Sequence, residues 1–376
     1  MSIEKSLSVD LSQLRGFKFS CLDRCQLCCL CQPELLDGEV EYFLRHHREA
    51  VCFKKRPHKH YAIKLKQNQG PCIFLAERKC SIYGFRPHFC RQFPIHFHVL
   101  DRIQAELDLS CRGVWNEQGD NLEGVASRLI HEKNEILAKT LKSSRKIYSE
   151  FISECRDAGL WRDPNEIRIQ VSHTLERFVD LKFLARVLEL SVEDNELSLS
   201  ELKDEKLSKS EYGDITTVAM EATLDSISVT KIVDAPVYCD EDGSWNVFIT
   251  KGSKIDWSRI LDDGSIEHIE TIDPKSVELL MPDEKGRNLL SKYLTLLNQR
   301  DSVFGYACYL VDSYEYEDFL SNVYFGIIGT SILDLLWRGS LLAFLRGGKL
   351  DETGVREAII FFDMDLLDAP TIGAFV

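Results

Sequence analysis

Cys21-Leu22-Asp23-Arg24-Cys25-Gln26-Leu27-Cys28-Cys29-Leu30-Cys31 carries five thiols in eleven residues. Cys52, Cys72, Cys80, Cys90 and Cys111 follow, so ten of the thirteen cysteines fall within residues 21–111. Free structural cysteines behave as small buried hydrophobes and scatter along a chain. Crowding of this kind signals disulfides or metal, and the redox compartment decides between them.

The compartment reads as reducing, so a cytoplasmic chain is expected. Met1-Ser2-Ile3-Glu4-Lys5-Ser6 shows neither a basic nor an apolar leader segment. Phe325 to Leu345 is the nearest approach to a membrane span, but Asp334 and Arg338 interrupt it and Arg346 bounds it. It reads as a buried helix, and no membrane span is expected. An odd number of cysteines suits a disulfide framework poorly. A chain of 376 residues can also build a core without covalent staples. Metal ligation is therefore the expectation.

The candidate metal ligands are Cys21, Cys25, Cys28, Cys29, Cys72, Cys80, Cys90 and Cys111. The opening spacing, C-x3-C-x2-C-C, lets a tight loop bring two or three thiolates to one metal. Adjacent Cys28 and Cys29 point apart in an extended chain and suit different partners better than one ion. Zinc takes four ligands in a tetrahedron, commonly from C-x2-C knuckles, and Cys25 to Cys28 has the knuckle spacing. An iron–sulfur cluster takes one thiolate per iron from loops, and this irregular set fits it somewhat better. Pro71, Pro87 and Pro94 stiffen those loops. Arg86 and Arg91 are either hydrogen-bond donors to an anionic thiolate site or ordinary surface cations.

The residues that surround these thiols carry a resemblance. Cys72, Phe74 and Leu75 form one element; Cys80, Ile82 and Tyr83 a second; Arg86, Pro87, Cys90, Arg91, Phe93 and Pro94 a third. With the C-x3-C-x2-C-C start and Cys111, this pattern resembles the YkgJ-type cysteine-cluster family, described as zinc- or iron-chelating. Cys31 and Cys52 are additions to it. The resemblance implies metal binding over about residues 15–120. The family includes the flagellin lysine N-methylase, thought to use an Fe–S cluster and S-adenosylmethionine, although its opening spacing is longer. An Fe–S cluster in redox or cluster-dependent chemistry is thus one expectation. A lysine methylase using S-adenosylmethionine is a second, and a zinc-stabilised interaction protein a third. No catalytic residue stands out.

The fold class expected is α+β. Five segments follow from composition: a cysteine-cluster domain at 15–120, a helical region at 121–191, a charged linker at 192–222, a small β-hairpin region at 223–282 and a helical region at 283–376. Asp163-Pro164-Asn165-Glu166 reads as a helix start, with an apolar face running from Ile167 through Val171, Leu175, Phe178 and Val179 to Leu188. Asp242-Gly243 and Asp263-Gly264 read as hairpin turns. Residues 1–120 hold 18 Lys and Arg against 14 Asp and Glu, whereas the remainder holds 28 against 46. A basic head on an acidic body argues against nucleic acid as a partner of the body, and leaves a protein substrate or redox partner.

Weaker features have plain readings. His96 and His98 share one face of a strand over Pro94 to Leu100 and read as its polar side. His46-His47 and His58-Lys59-His60 read as solvated, and the basic run Lys54 to Tyr61 reads as a short loop beside an anionic metal–thiolate site, in preference to one that tracks a phosphate backbone or an acidic partner. Asp363, Asp365 and Asp368 read as solvated or capping. Phe361-Phe362, Leu366-Leu367 and Phe375-Val376 make the C-terminus unusually apolar and are expected to dock on the helical body, with a partner surface as the alternative.

Overall fold

Short strands around the cysteines and long helices beyond them divide this α+β chain. The computed structural model describes residues 7–55, 59–203 and 205–376. Arg56, Pro57 and His58 of the basic run, and the first six residues, lie outside the described residues.

The helices in chain order are α1 (Asp37–His46), α2 (His88–Gln92), α3 (Leu122–Asp157), α4 (Pro164–Thr174), α5 (Leu181–Leu190) and α6 (Lys209–Ser226). They continue as α7 (Glu284–Gln299), α8 (Asp301–Ser313), α9 (Leu320–Arg346) and α10 (Glu352–Leu367). Asp163 caps α4 by accepting from the Asn165 amide at 2.8 Å. The expected apolar face does not continue in one helix. Asp180 caps a new helix by accepting from the Lys182 amide at 2.9 Å, and Leu188 belongs to that one.

In the head, the buried hairpin of Ile95–Val99 and Ile103–Leu107 is central to a four-stranded sheet. Val9–Asp10 adds in parallel beside Ile103, and Ala374–Phe375 adds antiparallel beside Val99. Phe361, Phe362, Leu366 and Leu367 are buried in the helical body on α10, as expected, and the Ile372 amide donates to the Gly305 carbonyl of α8 at 3.1 Å, while the last strand docks on the head's sheet, where pairing satisfies its backbone groups. Ile95, Phe97 and Leu107 join α3, α7, α9 and α10 in one continuous core, so the packing does not break at residue 120.

Residues 209–226 are helical where a linker was expected. Ser208 accepts from the Glu211 amide at 3.2 Å and Glu211 accepts back from the Ser208 amide at 2.7 Å. This capping box starts a helix that buries only Ile215, Ala219 and Thr223, too few to show as an apolar stripe. α9 is long and apolar enough to cross a membrane, yet 89% of its apolar stretch is buried inside the protein. Its interrupting charges pair with each other, Arg338 donating to Asp334 at 2.8 Å.

The β region is an antiparallel meander of Val237–Cys239, Trp245–Lys251, Lys254–Ile260 and Ile266–Ile272. Gly243 (φ 80°) and Gly264 (φ 87°) make the first and last of its turns in the left-handed region that glycine enters freely. Both turns press on the head. A Cβ at Gly243 would stand 2.7 Å from the Arg24 carbonyl, and one at Gly264 would stand 2.7 Å from that of Lys66.

Candidate metal centre

The cysteine loops hold little regular structure and are shaped by anchors. Leu27 and Leu30 are buried against Leu75 and Trp245. Just before them Arg24 and Gln26 take left-handed backbone angles, as do Glu77 and Arg78 in the tight hairpin before Cys80. Such angles cost energy in non-glycine residues and cluster where a site dictates chain direction. The Cys72 amide donates to the Cys29 carbonyl at 2.7 Å, stitching the first loop to the second. Cys90 is carried by α2.

These anchors gather seven thiols around one cavity of about 330 Å³: Cys21, Cys28, Cys29, Cys31, Cys72, Cys80 and Cys90. Six belong to the ligand set expected from the sequence, and Cys31 is the seventh. Cys25 and Cys111 do not line the cavity. Cys25 instead meets Cys239 of the meander, whose thiol donates to the Cys25 carbonyl at 3.8 Å; the side-chain hydrogen bond between the two thiols lowers the Cys25 pKa. Cys239 is completely buried. It stands alone in the sequence, so only its place beside Trp245 on the neighbouring strand reveals the pairing. Cys52 lies apart, its thiol on the Ala62 carbonyl at 3.4 Å.

Burial, and then repulsion from neighbouring thiols, pushes Cys21 up to about 11. Burial likewise pushes Cys72 up to about 11 and raises Cys90 further. Cys28 is lowered by its hydrogen bond from Cys29. Arg86 lines the cavity, draws down Cys21, Cys28, Cys80 and Cys90, and stacks 3.7 Å over the Tyr83 ring. Arg91 instead pairs with Glu132 at 2.8 Å. Crowded thiols of this kind are costly to ionise until a cation joins them, and a metal deprotonates its thiol ligands outright. The donor set is soft and sulfur-rich, which fits zinc or iron. Among the described residues, no group of three or more His, Cys, Asp or Glu side chains already closes on one ion; the thiols form a wall.

The meander clamps this wall from outside. The Trp245 indole donates to the Cys25 carbonyl at 2.6 Å. Arg78 stacks 3.5 Å over Trp245 and donates to Arg24 and Gly243 carbonyls at 2.8 and 2.9 Å. Lys66 bridges the Leu75 and Asp262 carbonyls at 2.6 and 2.7 Å.

A second cavity of about 340 Å³ shares Cys28, Cys31, Pro33 and Cys90 with the first. There the Cys31 thiol meets the Met364 sulfur at 3.9 Å. His96 faces this cavity, its Nε2 on buried Asp108 at 3.2 Å, while His98 bonds Thr371 at 3.0 Å. Asp368 also lines it. Asp368 is exposed and caps the C-terminus of α10, as expected, but the other two acids of the trio are not solvated. Asp363 is fully buried against Arg300 at 2.8 Å, and Asp365 pairs with Arg338 at 2.5 Å. Buried cations require carboxylate partners, and these supply them. His46 and His47 rest against the Tyr42 ring, consistent with a packing role.

The comparisons agree with the chemistry of the donor set. No curated protein and no solved structure matches the chain. The CxxCxxCC family model, described as "Putative zinc- or iron-chelating domain", matches residues 20–112, about a quarter of the chain. This match is to the cysteine-cluster family that the residues around the thiols resemble.

Proposed function

We propose that this segment holds an iron–sulfur cluster in the thiol-lined cavity and serves redox or cluster-dependent chemistry in the cytoplasm. The observation that carries the reading is the convergence of seven thiols on about 330 Å³. A single water needs roughly 10–15 Å³ of such space, so the cavity greatly exceeds what one zinc ion fills. A cluster accepts one thiolate per iron from separate loops, and the ligands would come from Cys21, Cys28, Cys29, Cys72, Cys80 and Cys90, with Cys31 available. When bound, such a cluster supplies one-electron chemistry. Cys25 and Cys111 stand behind the wall, where Cys25 shapes the first loop. A molecule in the second cavity would meet the site across Cys28, Cys31 and Cys90. A reducing cytoplasm would keep the free thiols available.

The test is iron, acid-labile sulfide and visible absorption on anaerobically purified protein. Iron and sulfide in matching amounts with broad visible absorption support the reading. Stoichiometric zinc without colour overturns it in favour of a zinc-stabilised interaction protein. The methylase alternative calls for specific S-adenosylmethionine binding by the same preparation, and a protein substrate. A redox protein calls for a reversible spectrum without that ligand.

A further inference from the structure

Away from the thiols, a third cavity of about 700 Å³ opens between Arg15–Lys18, the loop after Cys111 and α7. Its size falls in the range of roughly 300–1,000 Å³ that small-molecule sites occupy. Arg15, Lys18, Lys292 and Arg356 line it, against Glu117 and Glu352. The cavity is thus positive by two charges in a chain of net charge −14.

Arg356 is engaged, standing 3.2 Å from Glu241. Arg15, Lys18 and Lys292 have neither an ion pair nor a side-chain hydrogen bond among the described residues. In an acidic protein, surface cations find carboxylates readily; three left unpaired around one concavity create a local attraction for anions. These three come from two separate chain segments, one in the head and one on α7.

The rest of the lining is aromatic and apolar. Trp115 donates its indole N–H to the Leu109 carbonyl at 2.9 Å, and Tyr293 donates its hydroxyl to Asp363 at 2.6 Å. Both polar handles are used inside the protein. What the two residues offer the cavity is therefore ring surface, held in fixed orientation. Fixed rings beside unpaired cations match a ligand that is planar at one end and multiply anionic at the other.

We propose that this cavity binds a nucleoside phosphate, with its base against Trp115 and its phosphates reaching Arg15, Lys18 and Lys292. The site is separate from the thiol cavity and does not depend on which metal is held there.

The experiment is calorimetric titration of the metal-loaded protein with ATP, ADP, AMP, adenosine and inorganic phosphate, each to about 1 mM. The expected result is one nucleotide per chain, with adenosine and phosphate each weaker by at least about tenfold. R15E and K292E, both on the exposed rim, should each weaken ATP by about tenfold or more while metal content and visible spectrum stay unchanged. W115F should weaken it too, and should reduce the preference over inorganic phosphate. A thermal melt of each variant separates lost binding from lost fold, and K292Q gives a milder second reading. No nucleotide binding at that concentration overturns the proposal. So does phosphate binding as tightly as ATP, which would leave a plain anion site. Binding that both charge reversals leave untouched would place the nucleotide elsewhere and overturn it as well.

Discussion

The Trp245 indole nitrogen donates to the Cys25 backbone carbonyl at 2.6 Å, across 220 residues of chain. A strand of the body thereby fixes the course of the first cysteine loop, whose own turns contribute one short helical turn at Leu27–Cys29. W245F removes the indole donor and leaves the buried carbonyl with only the weak Cys239 thiol at 3.8 Å. Its expected cost is about 1–3 kcal/mol in urea unfolding, with a lower metal content per chain. Equal stability and equal metal content would show that the head shapes its loops unaided.

The cavity cysteines and the thiols behind them should separate in a substitution series. C28S, C72S, C80S and C90S each remove a wall thiol, and metal affinity should fall by more than about 100-fold. C239A removes only the hydrogen-bond partner of Cys25, so a loss within the roughly 10–100-fold range seen for groups that support metal ligands is expected. C155S and C308S lie buried in the helical body and should leave metal content unchanged. Competition with a chelator measures all three classes. A uniform response would sink the assignment of the wall.

Why part of this molecule could be read from its residues follows from what each feature demands. Metal ligation demands particular side chains at tight spacing, so the thiol set stood out. Left-handed turns favour glycine, which made Asp242-Gly243 and Asp263-Gly264 visible. A proline at the first helical position marked α4. Other features left no local trace. α6 buries Ile215, Ala219 and Thr223 alone, so its periodicity is submerged in polar residues. The pairing of Cys25 with Cys239 depends on the packing of the meander on the head, and a lone cysteine carries no sign of it. Phe375 pairs with His98 through backbone groups that any residue possesses. Asp363 looked like one of three solvent-facing acids because its partner, Arg300, lies in a different helix boundary 63 residues earlier.

The Arg300–Asp363 pair offers a test of the shared core. Both side chains are fully buried, two hydrogen bonds of 2.8 Å join them, and Asp363 also accepts from the Leu109 amide at 2.7 Å. Removing one member strands a charge. D363A should cost about 3–5 kcal/mol, and R300A a similar amount. The R300M/D363L double variant should recover much of that loss, because an apolar pair strands neither charge. Chemical denaturation reads each step. If the double variant is no better than the singles, the Leu109 amide and Tyr293 hydroxyl left without their acceptor, and not the charge, dominate the cost.

Lys133 on α3 should give the protein a measurable pH dependence. It is 2% exposed, donates to the Gln92 side-chain carbonyl at 2.8 Å and lies 4.8 Å from the Phe89 ring. Burial lowers its pKa to about 7, with Glu39 opposing and Arg91 reinforcing the shift. An unfolded lysine titrates near 10.4. Between those values the unfolded chain binds a proton that the folded chain does not, so stability rises with pH there. The slope is up to about 1.4 kcal/mol per pH unit. It flattens below pH 7, where both states are protonated. The buried thiols with raised pKa act in the opposite direction once unfolded cysteine ionises near pH 8.5. The comparison therefore belongs between pH 7 and 8.5, against K133M, which cannot titrate. Urea midpoints should climb with pH in the parent protein more steeply than in K133M. Parallel profiles would mean that Lys133 keeps its proton in the folded state.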